Sequence, residues 1–261
     1  MSAQHAVLRP GAGILASIVM LLPLAAAAQS GDASDIPRLH DGKPDFNGVW
    51  DRPRVSDITR DSEGCGAASE GCRSTGSGPL AFTPEGLAQH NAAKFDYTAH
   101  CLPWGYLRAN QTSYPVEYVQ TPDRFVILFE SNNVFHIVPT DGRAHAETYE
   151  PTWMGKSIGW YEGDTLVIDS RGFNGKTWLD VGGEHPSSEA LHIVERLRHL
   201  DADTLEYRLT IEDPNYYLEP IENVRTFVRM SPDAELYEYW CMENNKDLLE
   251  GLIQDIEPRA P

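Results

Sequence analysis

The sequence predicts a mainly β protein, an antiparallel meander closing into a lipocalin-like barrel, with a β-sandwich as the alternative. Three observations carry this. Apolar residues alternate with polar ones at period two in Leu205, Tyr207, Leu209 and Ile211 against Glu206, Arg208, Thr210 and Glu212, the pattern of a strand with one buried face. Such strands come in pairs around short turns holding Gly, Asp or Pro. Eight or more strands joined this way leave exposed edges that closure removes, and a barrel of that size holds one small ligand.

The elements follow in order. Residues 1–28 read as a secretory signal peptide: a polar start with Arg9, an apolar run from Ile14 to Leu22, a break at Pro23, and Ala26-Ala27-Ala28 before Gln29. The apolar run is too short to span a bilayer, so no membrane insertion is expected after cleavage and the mature chain is expected to be periplasmic or secreted. Residues 29–261 read as a single domain. Residues 29–45 are polar with Pro and Gly, an extended arm, and Phe46 to Trp50 is a first strand bent at Gly48. Residues 60–79 form a Gly/Ser-rich loop. Thr83-Pro84-Glu85 starts a helix, with Thr as cap, Pro at the first helical position and Glu in the first turn, running to about residue 95. After Pro115 come strands at 125–129 and 134–138. Three hairpins follow: 157–161 with 165–169, 191–199 with 205–211, and 225–230 with 236–242. Residues 245–254 read as a short final helix.

The four cysteines, Cys65, Cys72, Cys101 and Cys241, allow three pairings. An exported chain makes disulfides the default. Cys65–Cys72 is preferred as a local staple in the loop, leaving Cys101–Cys241. No Cys-x-x-Cys pair is present, which argues against a cysteine-ligated metal.

With 39 acidic and 21 basic residues the formal charge is −18. Phosphate backbones and anionic lipid surfaces both need clustered Lys and Arg, so neither nucleic acid nor membrane is an expected partner. Walker, GxGxxG, HExxH and GxSxG motifs are read as absent.

Polar residues set in apolar rows mark candidate chemistry. Glu195 shares a row with Leu191, Ile193 and Leu197, where a carboxyl is desolvated and its pKa rises toward neutral. His136 lies between Val134 and Val138, and the other row, Phe135 and Ile137, is also apolar, so the ring is expected to be enclosed. Tyr161 and Asp169 end their rows, at a barrel rim. His192 shares a row with Arg196 and Arg198 that reads as facing solvent. Glu195, His136, Tyr161, Asp169 and His192 are the candidate catalytic residues. Trp153, Lys156, Tyr207 and Trp178 are the candidate substrate contacts, within a strand region rich in aromatics that suits a flat hydrophobic ligand. His136, His145, His185 and His192 form no His-x-His pair, so no metal is expected, and no serine has a nucleophile-elbow setting.

One stretch resembles a known group. Residues 151–169, Pro-Thr-Trp-Met-Gly-Lys-Ser-Ile-Gly-Trp-Tyr-Glu-Gly-Asp-Thr-Leu-Val-Ile-Asp, are similar to the core motif of secreted bacterial proteins of mostly uncharacterised function. Pro44 to Trp50, Gly172-Phe173-Asn174 with Thr177 to Asp180, and His192 to Arg196 fit the same group. The group's pattern has His at Lys156 and Trp at Tyr161. The resemblance implies secretion and a shared β fold. The chemistry expected from the residues is a cofactor-independent acid–base enzyme of lyase, hydratase or isomerase type, acting on a small hydrophobic or aromatic compound. The alternative is a carrier for such a compound.

Overall fold

In the computed structural model the described residues are 36–67, 70–92, 94–243, 245, 246 and 250. The expected signal peptide, residues 1–28, lies outside them, as does most of the expected final helix.

Eleven strands form one antiparallel sheet: β1 (Gly48–Asp51), β2 (Ser62–Glu63), β3 (Arg73–Thr75), β4 (Val116–Thr121), β5 (Arg124–Phe129), β6 (Val134–Pro139), β7 (Lys156–Glu162), β8 (Thr165–Arg171), β9 (His192–His199), β10 (Thr204–Glu212) and β11 (Ile221–Arg229). Nine of them run in the order β6-β5-β4-β1-β11-β10-β9-β8-β7. The sheet curls into the nearly closed barrel that the alternation predicts. Its inner rows are those read from the sequence: Leu205, Tyr207, Leu209 and Ile211 are all buried, as are Ile193, Glu195 and Leu197.

The seam lies between β6 and β7, the two ends of the strand order. Side chains close it. The His136 imidazole meets the Ser157 hydroxyl across it. At Gly159 a Cβ would sit 2.9 Å from Val138 Cγ1, so only glycine lets β7 come this close to β6.

Four expectations need correction. The loop at 60–79 contains β2 and β3, and β3 pairs with β11. Residues 236–242 are not a strand. Both sides of β11 are taken, by β10 and by β1 with β3, so the chain turns away and fastens to the 3-10 turn Ser131–Asn133 through the Tyr239 backbone. The first helix, α1 (Pro84–Asn91), is capped by Thr83 as expected but stops four residues early. Beyond it Asp96 caps a separate 3-10 turn, Tyr97–His100, that buries Tyr97 against Trp153 and Trp178. Finally, a second helix, α2 (Tyr106–Gln111), is unpredicted, and all six of its residues are buried.

Helix α2 lies inside the barrel, where its Tyr106 and Asn110 reach the inward Glu195 of β9. Two arginines from the wall hold its last carbonyls: Arg52 donates to Ala109 O and Asn110 O, and Arg225 Nη1 donates to Asn110 O at 2.9 Å. Cationic donors at a helix C-terminus satisfy carbonyls that have no intrahelical partner. Both disulfides form as preferred from the sequence, Cys65–Cys72 and Cys101–Cys241, bonds that an oxidising compartment sustains. No described helix is long and apolar enough to cross a membrane.

Candidate functional site

A cleft of about 760 Å³ opens along the β6–β7 seam. Strand β6 contributes Val134, Phe135, His136 and Ile137, strand β7 contributes Lys156, Ser157 and Ile158, and the connection between them contributes Trp153 and Met154. His136 is enclosed, as its apolar surroundings in the sequence suggest. Phe135 and Ile137 alternate with it along the pleat, so they point outward, 62% and 44% exposed, and form the lip of the cleft.

His136 forms the floor. It is 5% exposed, with its Nε2 2.6 Å from Ser157 Oγ, which lies 2.5 Å from Ser170 Oγ on β8. Burial, helped by the nearby Lys156 charge, pulls the imidazole pKa down to about 4, so the ring is neutral at pH 7. A neutral imidazole bonded to one hydroxyl, itself bonded to a second, can accept a proton or, in its other tautomer, donate a hydrogen bond to a carbonyl.

Behind the floor lies a second polar group. The Tyr106 ring of α2 packs on the His136 ring at 4.6 Å, and its hydroxyl reaches both oxygens of Glu195 at 2.8 and 2.7 Å. The Tyr207 hydroxyl donates to Glu195 at 2.6 Å and accepts from Asn110 Nδ2 at 2.5 Å, which is also 3.2 Å from the carboxylate. Burial raises the Glu195 pKa; the hydrogen bonds from Tyr106 and Tyr207 and the Arg225 charge work against that rise. The inward carboxyl that the sequence suggested is present, yet α2 seals it at 1% exposure, and its link to the cleft runs through Tyr106 to the His136 ring.

The remaining candidates disperse. Asp169 and His192 face the outside of β8 and β9, where Asp169 bridges His145 at 2.7 Å and His192 at 2.9 Å and also accepts from Arg171. Burial raises the Asp169 pKa, but the His192 and Arg171 hydrogen bonds outweigh it and hold the carboxyl well below the usual range. The same Asp169 bond raises the His192 pKa. Tyr161 sits at the opposite end of the barrel, bonded to Gln120 with Lys43 over its ring. Trp178 does not line the cleft either. It stacks on the Arg108 guanidinium, 4.5 Å away, which also pairs with Asp96. Tyr207 belongs to the sealed interior. Of the named contacts, Trp153 and Lys156 do line the cleft.

The four histidines weighed as metal ligands fall in three places. His136 is on the seam, His145 and His192 flank Asp169, and His185 lies beside Asp180 and Asp57. The last group has ligand atoms within 4.8 Å of one another, but Asp180 already accepts from Ile58 N, Glu184 N and His185 Nδ1.

Ser157, Ser170, Tyr106 and Asn110 were missed. For Ser157 a signal existed, and the reading that no GxSxG run is present needs correction: Gly155-Lys156-Ser157-Ile158-Gly159 is one. The reading that no serine has that setting holds for the backbone, since Ser157 lies within a strand and not on a strand–turn–helix corner. No acidic side chain contacts the His136 ring among the described residues, so the pair lacks the third member that orients a nucleophile's base. Ser157 is therefore better placed to relay a proton than to attack. Compared with known proteins, the chain matches no family model and no curated sequence.

Proposed function

We propose that the protein is a cofactor-independent acid–base enzyme that acts on a small hydrophobic or aromatic compound in the seam cleft, and that it works in the periplasm or outside the cell. The observation that carries this reading is the 2.6 Å contact of a buried, neutral His136 with Ser157 on the floor of a mostly apolar cleft. An apolar site with a few convergent polar groups is the usual form of a small-molecule pocket. In this reading Ser157 hands its own proton to His136 Nε2 as it takes one from the bound compound, the imidazole returns that proton to the product or to the leaving group by the same path, and Tyr106 with Glu195 behind it fixes the imidazole from the inner side. The matching reactions are of lyase, hydratase or isomerase type. The two disulfides and the resemblance of residues 151–169 to secreted bacterial proteins support the location.

The carrier reading rests on a different observation: Glu195 is sealed and fully engaged, so the stronger acid–base group is not presented to a ligand. One experiment separates the two. Aromatic and terpenoid compounds that raise the melting temperature of the oxidised protein are incubated with it and recovered for mass spectrometry. A compound altered by the protein but not by His136→Gln supports the enzyme. A compound bound and returned intact by both supports the carrier.

A further inference from the structure

The charge of the cleft runs against the charge of the chain. Acids outnumber bases by 39 to 21, yet no Asp or Glu lines the cleft, and its two charged residues are Arg143 and Lys156. Arg143 is neutralised by Asp141, its Nη2 2.5 Å from a carboxylate oxygen. Lys156 has no carboxylate partner among the described residues. It stands directly across the β7–β8 ladder from Arg171, a like-charge pairing that costs stability. Arg171 turns to Asp169, which leaves Lys156 as the one uncompensated charge on the cleft. It is close enough to His136 to bear on that ring.

From this juxtaposition we infer that the cleft selects an amphipathic monocarboxylate, its aromatic or aliphatic body against Trp153, Met154 and Phe135 and its carboxylate at Lys156. A single ammonium suits a single negative charge. A phosphate dianion would ask for a second free cation, and Arg143 is already paired. The apolar walls supply affinity for the body, and the ammonium supplies the discrimination between an acid and its neutral analogue. The volume, about 760 Å³, is that of an ordinary small-molecule pocket. The carboxylate then lies beside the floor histidine, so the inference also orients the compound: its reacting atoms lie near its acid end. The inference rests on the seam cleft being the binding site.

The test uses 2-naphthoate and 2-naphthamide, matched in shape and different in charge, titrated into the oxidised protein by calorimetry. The expected result is a naphthoate affinity about tenfold above that of the amide, the scale of one charge-assisted hydrogen bond. Lys156→Met is expected to remove that preference while leaving the amide within about twofold, since the exposed side chain is replaced by one of similar length. Phe135→Asp, at an exposed position, is expected to weaken both ligands. Equal binding of the two compounds by the parent overturns the carboxylate assignment and leaves the apolar cleft standing. So does a naphthoate preference that survives Lys156→Met. Ligands whose affinities are indifferent to Phe135→Asp overturn the cleft itself, and the proposed function with it.

Discussion

His136 and Glu195 are buried titratable side chains that the sequence singled out, and burial moves them in opposite directions. Burial disfavours the charged form of each, so the histidine is held neutral down to about pH 4 and the carboxyl is pushed up. For the histidine the consequence is a stability slope. The unfolded ring takes a proton near pH 6.5 and the folded one near pH 4, so the unfolded state binds more protons between those values. Stability is complete above pH 6.5 and declines as pH falls through that window. Between pH 7 and pH 5 the loss is about 2 kcal/mol. His136→Gln keeps a polar contact for Ser157 and cannot titrate. Urea unfolding at the two pH values should therefore show that much less pH dependence in the variant than in the parent. An identical pH dependence in both would place the ring in contact with solvent. Turnover, if His136 is the base, is expected to be flat above pH 5 and to fall through an apparent pKa of about 4, lost in His136→Gln at every pH.

At the scale of elements, α2 is the piece that turns a barrel into a plugged barrel, and its stability is borrowed. Six residues are too few for a helix to persist alone. It has no side-chain N-cap, begins at Gly105 with φ at +76°, and ends on carbonyls held by Arg52 and Arg225. The Arg225 charge also offsets the buried Glu195 carboxylate. Arg225→Met is therefore expected to cost about 3 kcal/mol, read as a lower urea midpoint. Glu195→Gln costs less, about 1–2 kcal/mol, because Tyr106 and Tyr207 can reorient to a neutral partner. The double variant should lose less than the sum, since each single change strands the other charge. Strict additivity would mean that the two side chains do not interact. The same borrowing explains what was legible beforehand. Strands with a clean two-residue period, β9 and β10, and the capped start of α1 state their structure locally, and so do the inward positions of Glu195 and His136. Nothing local states α2: its polar residues Arg108, Asn110 and Gln111 have partners or surroundings supplied from distant strands and turns. The cleft was hidden for the same reason, because it exists only where β6 meets β7, two strands that are neighbours by closure and not by hairpin. Trp178 and Tyr161 looked like pocket residues because aromatics in strand regions serve a core, a cation stack and a pocket equally well.

For the molecule as a whole the disulfides and the net charge set the terms. Cys101–Cys241 spans 140 residues and Cys65–Cys72 spans seven. By the loop-entropy relation, removing the long bridge with paired serines is expected to cost about 5 kcal/mol and the short one about 2 kcal/mol, as upper values. Chemical denaturation of the two double variants checks that order, and equal costs would show that the tail around Cys241 releases without loosening the unfolded chain.

The charge of −18 bears on how an anion reaches the cleft. At low salt the distant acids repel it before Lys156 can attract it. The Debye length falls from about 30 Å at 10 mM to about 8 Å at 150 mM, so added salt screens the many distant acids far more than a contact at hydrogen-bond range. The association rate of naphthoate is thus expected to rise severalfold across that interval, while the rate for the neutral amide stays level. This is the reverse of the usual behaviour of a cationic anion-binding site, whose on-rate falls as salt screens its attraction. Stopped-flow measurements of both ligands at the two salt concentrations decide it. A naphthoate rate that falls with salt would show that the field at the cleft mouth is positive well beyond Lys156, and that the acids are turned away from this face of the barrel.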